Sequence, residues 1–149
     1  MAWLGDFYGV EMLARLSRGE RFVVVAGGLL LLSLAAFPWH RFELASYLGG
    51  DPRRTGLQTP NALQGTLAFL VTVAMVAQVL MTRTTNQTPN PALVKLQPAA
   101  GLAVLGTLAW KLASELSSLA VGAYLGILLG GVLAYGGLLM AKEQGSKFR

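Results

Sequence analysis

Residues 22–38, 62–81, 98–113 and 119–141 form four apolar blocks, and the only charged side chain in any of them is Lys111, near the end of the third. An α-helix rises about 1.5 Å per residue and the hydrocarbon of a bilayer is about 30 Å thick, so blocks of roughly 16 to 23 residues can each cross once, the shorter ones with help from their flanks. The pattern predicts an all-α fold, an integral membrane four-helix bundle occupying residues 1–149 as a single domain. Composition points the same way: hydrophobic residues make up 54% of the chain and charged residues 13%. An ordinary soluble domain is charged at about a quarter of its positions, and several blocks here are apolar all round, lacking the polar face of a surface helix.

The first block does not read as a cleavable signal peptide. It begins after about twenty residues, follows Trp3, Phe7 and Tyr8, and runs into Phe37-Pro38-Trp39-His40 without a small-residue cleavage site. In residues 1–20, Leu4, Tyr8, Met12 and Leu16 recur at near-helical intervals, with Trp3, Phe7 and Leu13 close to the same side. This spacing predicts an N-terminal amphipathic helix lying in the membrane interface, the alternative being a loosely ordered arm.

Basic residues set the orientation. With four spans, one side of the membrane receives Arg15, Arg18, Arg21, Arg83, Lys95, Lys142, Lys147 and Arg149, eight of the twelve; the other receives Arg41, Arg53, Arg54 and Lys111. The bias predicts that both termini are cytoplasmic. The net charge of +5 is then a topology signal and an affinity for anionic lipid of the bilayer, not a nucleic-acid footprint, because the basic residues are dispersed over several connections.

The connections differ in character. The third, residues 114–118, is short enough to force the last two spans into an antiparallel hairpin. The second, residues 82–97, is rich in Thr, Asn, Gln and Pro and reads as an irregular loop, with Pro98 opening the third helix. The first, residues 39–60, is the external connection; Phe42, Leu44, Tyr47 and Leu48 make it more apolar than a solvated loop needs, so it is expected to fold back over the helix ends. Trp3, Trp39 and Trp110 are read as interfacial anchors, since an aromatic ring with a polar edge is favoured at headgroup level. His40, Arg41 and Tyr47 are candidate surface contacts.

Gly122, Gly126, Gly130 and Ala134 recur every four residues in the last block and form a small-residue ribbon where another helix can approach closely. Such a ribbon can face another span of the same chain or a second protein.

Chemistry is thin. His40 is the only histidine and cysteine is absent, which removes bis-histidine haem, thiolate metal sites and cysteine nucleophiles. No catalytic, cofactor-binding or metal-ligating residue is assigned, and the chain is not read as an enzyme. Lys111 and Glu115 are four apart and are expected to pair or to reach the interface. Gln78 is expected to bond another helix. Thr66, Thr72, Tyr124 and Tyr135 complete the polar inventory of the second and fourth blocks, too little for an ion relay.

Phe37-Pro38-Trp39-His40, Leu57-Gln58-Thr59-Pro60-Asn61, Lys111, Gly122-Ala123-Tyr124-Leu125-Gly126 and Ala134-Tyr135-Gly136-Gly137 together resemble small four-span membrane proteins of actinobacteria over nearly the whole chain. The resemblance implies a four-span fold in the bacterial plasma membrane and carries over no catalytic residues. The expected function is that of a non-enzymatic accessory or scaffold subunit in a larger membrane complex, with protein partners or self-association. The alternative is a self-associating small transporter or channel component, its pore lined by several copies.

Overall fold

The computed structural model describes residues 14–42, 47–51, 53–58, 62–114 and 116–146. Four long helices carry the fold: α1 (Arg18–Ala36), α2 (Ala62–Thr84), α3 (Pro91–Ala113) and α4 (Val121–Gly145). Their 19, 23, 23 and 25 residues correspond to lengths of about 28, 34, 34 and 37 Å. Each is long and apolar enough to cross a membrane. Consecutive helices run antiparallel, with α1 against α2 and α4 and α3 against the same two, and the seams along α4 are the most extensive. The core between them holds Val23, Leu30, Leu34, Val104, Leu108 and Leu133.

Where the helices begin differs from the hydropathy edges. Arg18, Gly19 and Glu20, expected in the N-terminal arm, form the first turn of α1, because Ser17 caps it: the Ser17 side chain accepts from Glu20 N, and the Glu20 carboxylate takes the Ser17 N–H at 2.8 Å. The rest of the expected interfacial helix, up to residue 13 and including Trp3, lies outside the described residues. The third helix starts at Pro91, not Pro98. Asn90 is its N-cap, accepting Ala92 N at 3.0 Å, and Pro91 occupies the first turn, where a missing N–H costs nothing. Pro98 is inside the helix, and α4 tolerates it by bringing Gly137 against it: a β-carbon on Gly137 would lie 2.8 Å from Gln97 O and 3.3 Å from Pro98 N.

The α2–α3 connection therefore shrinks to residues 85–90. Asn86 adopts φ 50° and Gln87 N returns to Thr82 O at 3.2 Å, closing α2 before the chain reverses. At the opposite end the external connection contains an element that hydropathy did not announce, a two-stranded antiparallel ribbon of β1 (Pro38–Arg41) and β2 (Arg53–Thr55). We call these the turn end and the ribbon end.

At the turn end the cap of α1 is also a tie to α2. The fully buried Glu20 carboxylate receives Nε and a terminal nitrogen of Arg83 at 2.7–3.2 Å. Gly19 N donates to Glu143 on α4 at 3.2 Å, drawing the third partner in. Removing one member of a buried ion pair strands the other, at about 3–5 kcal/mol. Arg83 is 35% exposed, so Arg83→Ala is expected at the lower end, about 3 kcal/mol. Glu20→Gln combined with Arg83→Met, which leaves no stranded charge, is expected to recover more than half of that loss. Thermal unfolding in mild detergent measures both, and an unchanged midpoint for Arg83→Ala would refute the tie.

Candidate functional site

The ribbon end is organised around Trp39. In β1 the pairing register slips between Pro38 and His40, so Trp39 sits at an irregularity of the ribbon, and its ring is 0% exposed. Three glycines make room for it. A β-carbon on Gly126 would collide with the Cζ2 and Cη2 atoms of the indole; one on Gly122 would lie 2.8 Å from Cδ1, and one on Gly56 3.0 Å from Nε1. The indole N–H donates to Ser33 O at 2.9 Å, the Ser33 hydroxyl donates to Gly122 O at 3.1 Å, and Ala120 N donates to Trp39 O at 2.9 Å. The indole N–H and the backbone carbonyl of the residue thus both have protein partners, and the expected interfacial anchor is a peg between α1 and α4.

Its neighbours continue the plug. His40 is buried, bridges to Leu119 ahead of α4, has Nδ1 3.1 Å from the Ser118 hydroxyl and stacks on Phe42. Of the three candidate surface contacts, Arg41 and Tyr47 are exposed and His40 is not. Lys111, expected to reach the interface, is buried and donates to Gln58 O at 3.3 Å, pinning the β2–α2 connection to the end of α3. Gly65 seats that connection from below, its α-carbon facing the Gly56 carbonyl too closely for any side chain. Glu115 lies outside the described residues, whereas Trp110 is 68% exposed on the bundle surface.

The small-residue ribbon of α4 divides its duties. Gly122 and Gly126 cradle Trp39; farther along, Gly130 meets Leu105 and Leu108 of α3, and Ala134 stands against Gly101 of the same helix. All four positions are occupied from within the chain.

At the turn end, a cleft of about 620 Å³ opens between α2 and α3, within the usual size of a ligand or side-chain pocket. Val71, Met75, Leu93 and Leu96 line it, and toward the connection its lining becomes Thr82, Gln87, Thr88 and Asn90, with no ionisable side chain. Gln97 reaches it from α3 and is 2% exposed. Its Nε2 donates to Gln78 Oε1 at 2.7 Å and lies 3.5 Å from Met75 O, while its Oε1 is buried without a hydrogen-bond partner among the described residues. Gln78 thus bonds another helix, as its sequence position suggested. Gln97 was hidden in the expected loop; the signal that could have found it is Asn90-Pro91, a cap followed by a first-turn proline. Similarly, Ser17 and Glu20 form the S-x-x-E pattern of a capping box, the readable sign of the Glu20–Arg83 tie.

The remaining span hydroxyls are self-contained: Thr66 donates to Ala62 O and Thr72 to Ala68 O. Among the described residues, no three His, Cys, Asp or Glu side chains converge as metal ligands. What the arrangement offers is contact: an apolar cleft with one buried acceptor, suited to hydrogen bonding and packing.

The Trp39 cradle makes a graded prediction. Gly126→Ala forces a methyl into the indole and is expected to cost about 1–3 kcal/mol in thermal unfolding. Gly131→Ala, with nothing within 4 Å, is expected to be neutral or slightly stabilising. Trp39→Phe shortens the ring, so Gly126→Ala placed on it is expected to cost less than on the native chain, a coupling that a double-mutant cycle measures.

Comparisons with protein families, with curated proteins and with solved structures find no match to this chain.

Proposed function

We propose that the chain is a multi-pass protein of the bacterial plasma membrane, both termini cytoplasmic, that serves without catalysis as an accessory or scaffold subunit of a larger membrane complex, its α2–α3 cleft receiving a transmembrane helix of the partner. The carrying observation is Gln97, a buried amide with one satisfied and one unsatisfied end, at a cleft whose lining away from the α2–α3 connection is mainly apolar. An unpaired acceptor at membrane depth is costly, and a donor side chain on an incoming helix would satisfy it while Met81, Leu93 and Leu96, all exposed at the cleft, pack against its apolar face. The other polar groups of the spans support the same reading. Ser33, Lys111 and Glu20 are each engaged in holding helices or connections together, a distribution that favours a structural part over a conduit.

Orientation rests on the eight-to-four division of basic residues. In this cysteine-free chain, single cysteines replacing Tyr47, Thr85 and Ser146 are expected to react with an impermeant thiol reagent on intact cells only at position 47. Labelling at 146 without labelling at 47 would reverse the topology.

The partner role is tested by purification from native membranes in mild detergent. A stoichiometric set of different chains is expected to co-elute. Ala74→Trp, which fills the cleft from an exposed position, is expected to release them with the unfolding temperature unchanged. A homogeneous ring of this chain alone would overturn the proposal in favour of a self-associating transporter or channel.

A further inference from the structure

A second groove, of about 430 Å³, runs between α1 and α4 from the turn end, and we propose that it is a binding site for one anionic phospholipid, with Arg18 and Arg21 holding the phosphate and the groove below them holding an acyl chain. The two arginines are three apart and share one face of α1. Beneath them the walls are Val25 and Leu29 from α1 and Leu129 and Val132 from α4. From Arg18 to Leu29 is eleven residues, about 16 Å of helix. That is close to the depth of one leaflet, half of about 30 Å, so a chain lying in the groove ends near mid-bilayer while its headgroup stays at the level of the arginines.

Charge selects the headgroup. Glu20, the acidic residue between the two arginines, is committed to Arg83, and that is the one ion pair among the described residues. Arg21 is held in place by neutral oxygens, donating from Nε to Leu16 O at 3.1 Å and from a terminal nitrogen to Ala14 O at 3.0 Å. Among the described residues, neither Arg21 nor Arg18 has an ion-pair partner. Two cations above an apolar groove complement a net negative phosphodiester and gain less from a zwitterionic one, whose ammonium offsets the phosphate charge. The α2–α3 cleft, whose lining has no cation, lacks this complementarity. Phe22, edge-on to Tyr135 at 5.7 Å, places two exposed aromatic rings beside the mouth, where rings of this kind favour the interfacial zone.

The inference rests on membrane insertion as proposed above and is independent of the accessory role. The full chain is reconstituted into nanodiscs of phosphatidylcholine with a minor fraction of phosphatidylglycerol, released gently, and weighed by native mass spectrometry. One retained phosphatidylglycerol per chain, in excess of its bilayer fraction, is expected. Arg18→Gln or Arg21→Gln is expected to lower that preference about fivefold and the pair about 25-fold, whereas Arg53→Gln at the ribbon end leaves it unchanged. Insertion with no preference for the anionic lipid, or a preference that survives the double substitution, overturns the site alone. Failure to enter nanodiscs overturns the membrane reading and the site with it. A photo-crosslinker at Leu29 that captures a second copy of this chain in place of lipid overturns the site by assigning the groove to self-association.

Discussion

Backbone proximity along α4 is the condition for everything else in the bundle. At Gly122, Gly126, Gly130, Gly136 and Gly137 this helix presents a hydrogen where any other residue would place a side chain, and each position faces something that needs the space: the Trp39 ring, Leu108, the α1 backbone at Val23, or the α3 carbonyl at Gln97. In a lipid environment burial of apolar surface no longer drives helix association, because the tails are as apolar as leucine; close van der Waals contact has to supply the energy. A smooth helix maximises that contact. It also explains why α1 and α3 are both seated on α4, and why Pro98 can break the hydrogen-bond ladder of α3 without displacing the helix.

Where α4 is not the partner, packing is looser and polar ties take over. Helix α2 meets α1 through Gly27, whose open side admits Val76 and Thr72, and is fastened to it at the turn end by the Glu20–Arg83 pair. It meets α3 through the Gln78–Gln97 bond, beside which the cleft opens. One half-buried ion pair and one hydrogen bond between side-chain amides hold the orientation of a helix with comparatively little interlocking surface. The two ends of the bundle are closed by different physics, a carboxylate network at the turn end and an indole wedged between glycines at the ribbon end.

The two open grooves lie on different kinds of seam, one along the closely packed α4 and the other between α2 and α3, and they differ in the one property that recognition depends on. The α1–α4 groove ends beneath two guanidinium groups, and the α2–α3 cleft ends in amides and hydroxyls. On the proposed reading, that difference directs an anionic headgroup to the first groove and a partner helix to the second.

The number of long apolar helices, their antiparallel order and the smooth face of α4 were determined by sequence alone, since segment length, short connections and a four-residue repeat of small residues act locally. Even so, the starts of α1 and α3 followed caps, at Ser17 and Asn90, and not the edges of hydropathy. The destinations of Trp39, Lys111 and Gln97 were decided by tertiary structure. An amphipathic ring or a lysine has the same local preference for an interface whether or not a neighbouring segment offers a better environment. Here the folded-back ribbon and the glycines of α4 create a dry slot for the indole, and the Gln58 carbonyl receives the ammonium. The α4 glycines lie 83 and 87 residues from Trp39, and Gln58 lies 53 from Lys111, distances at which no periodicity or propensity carries information.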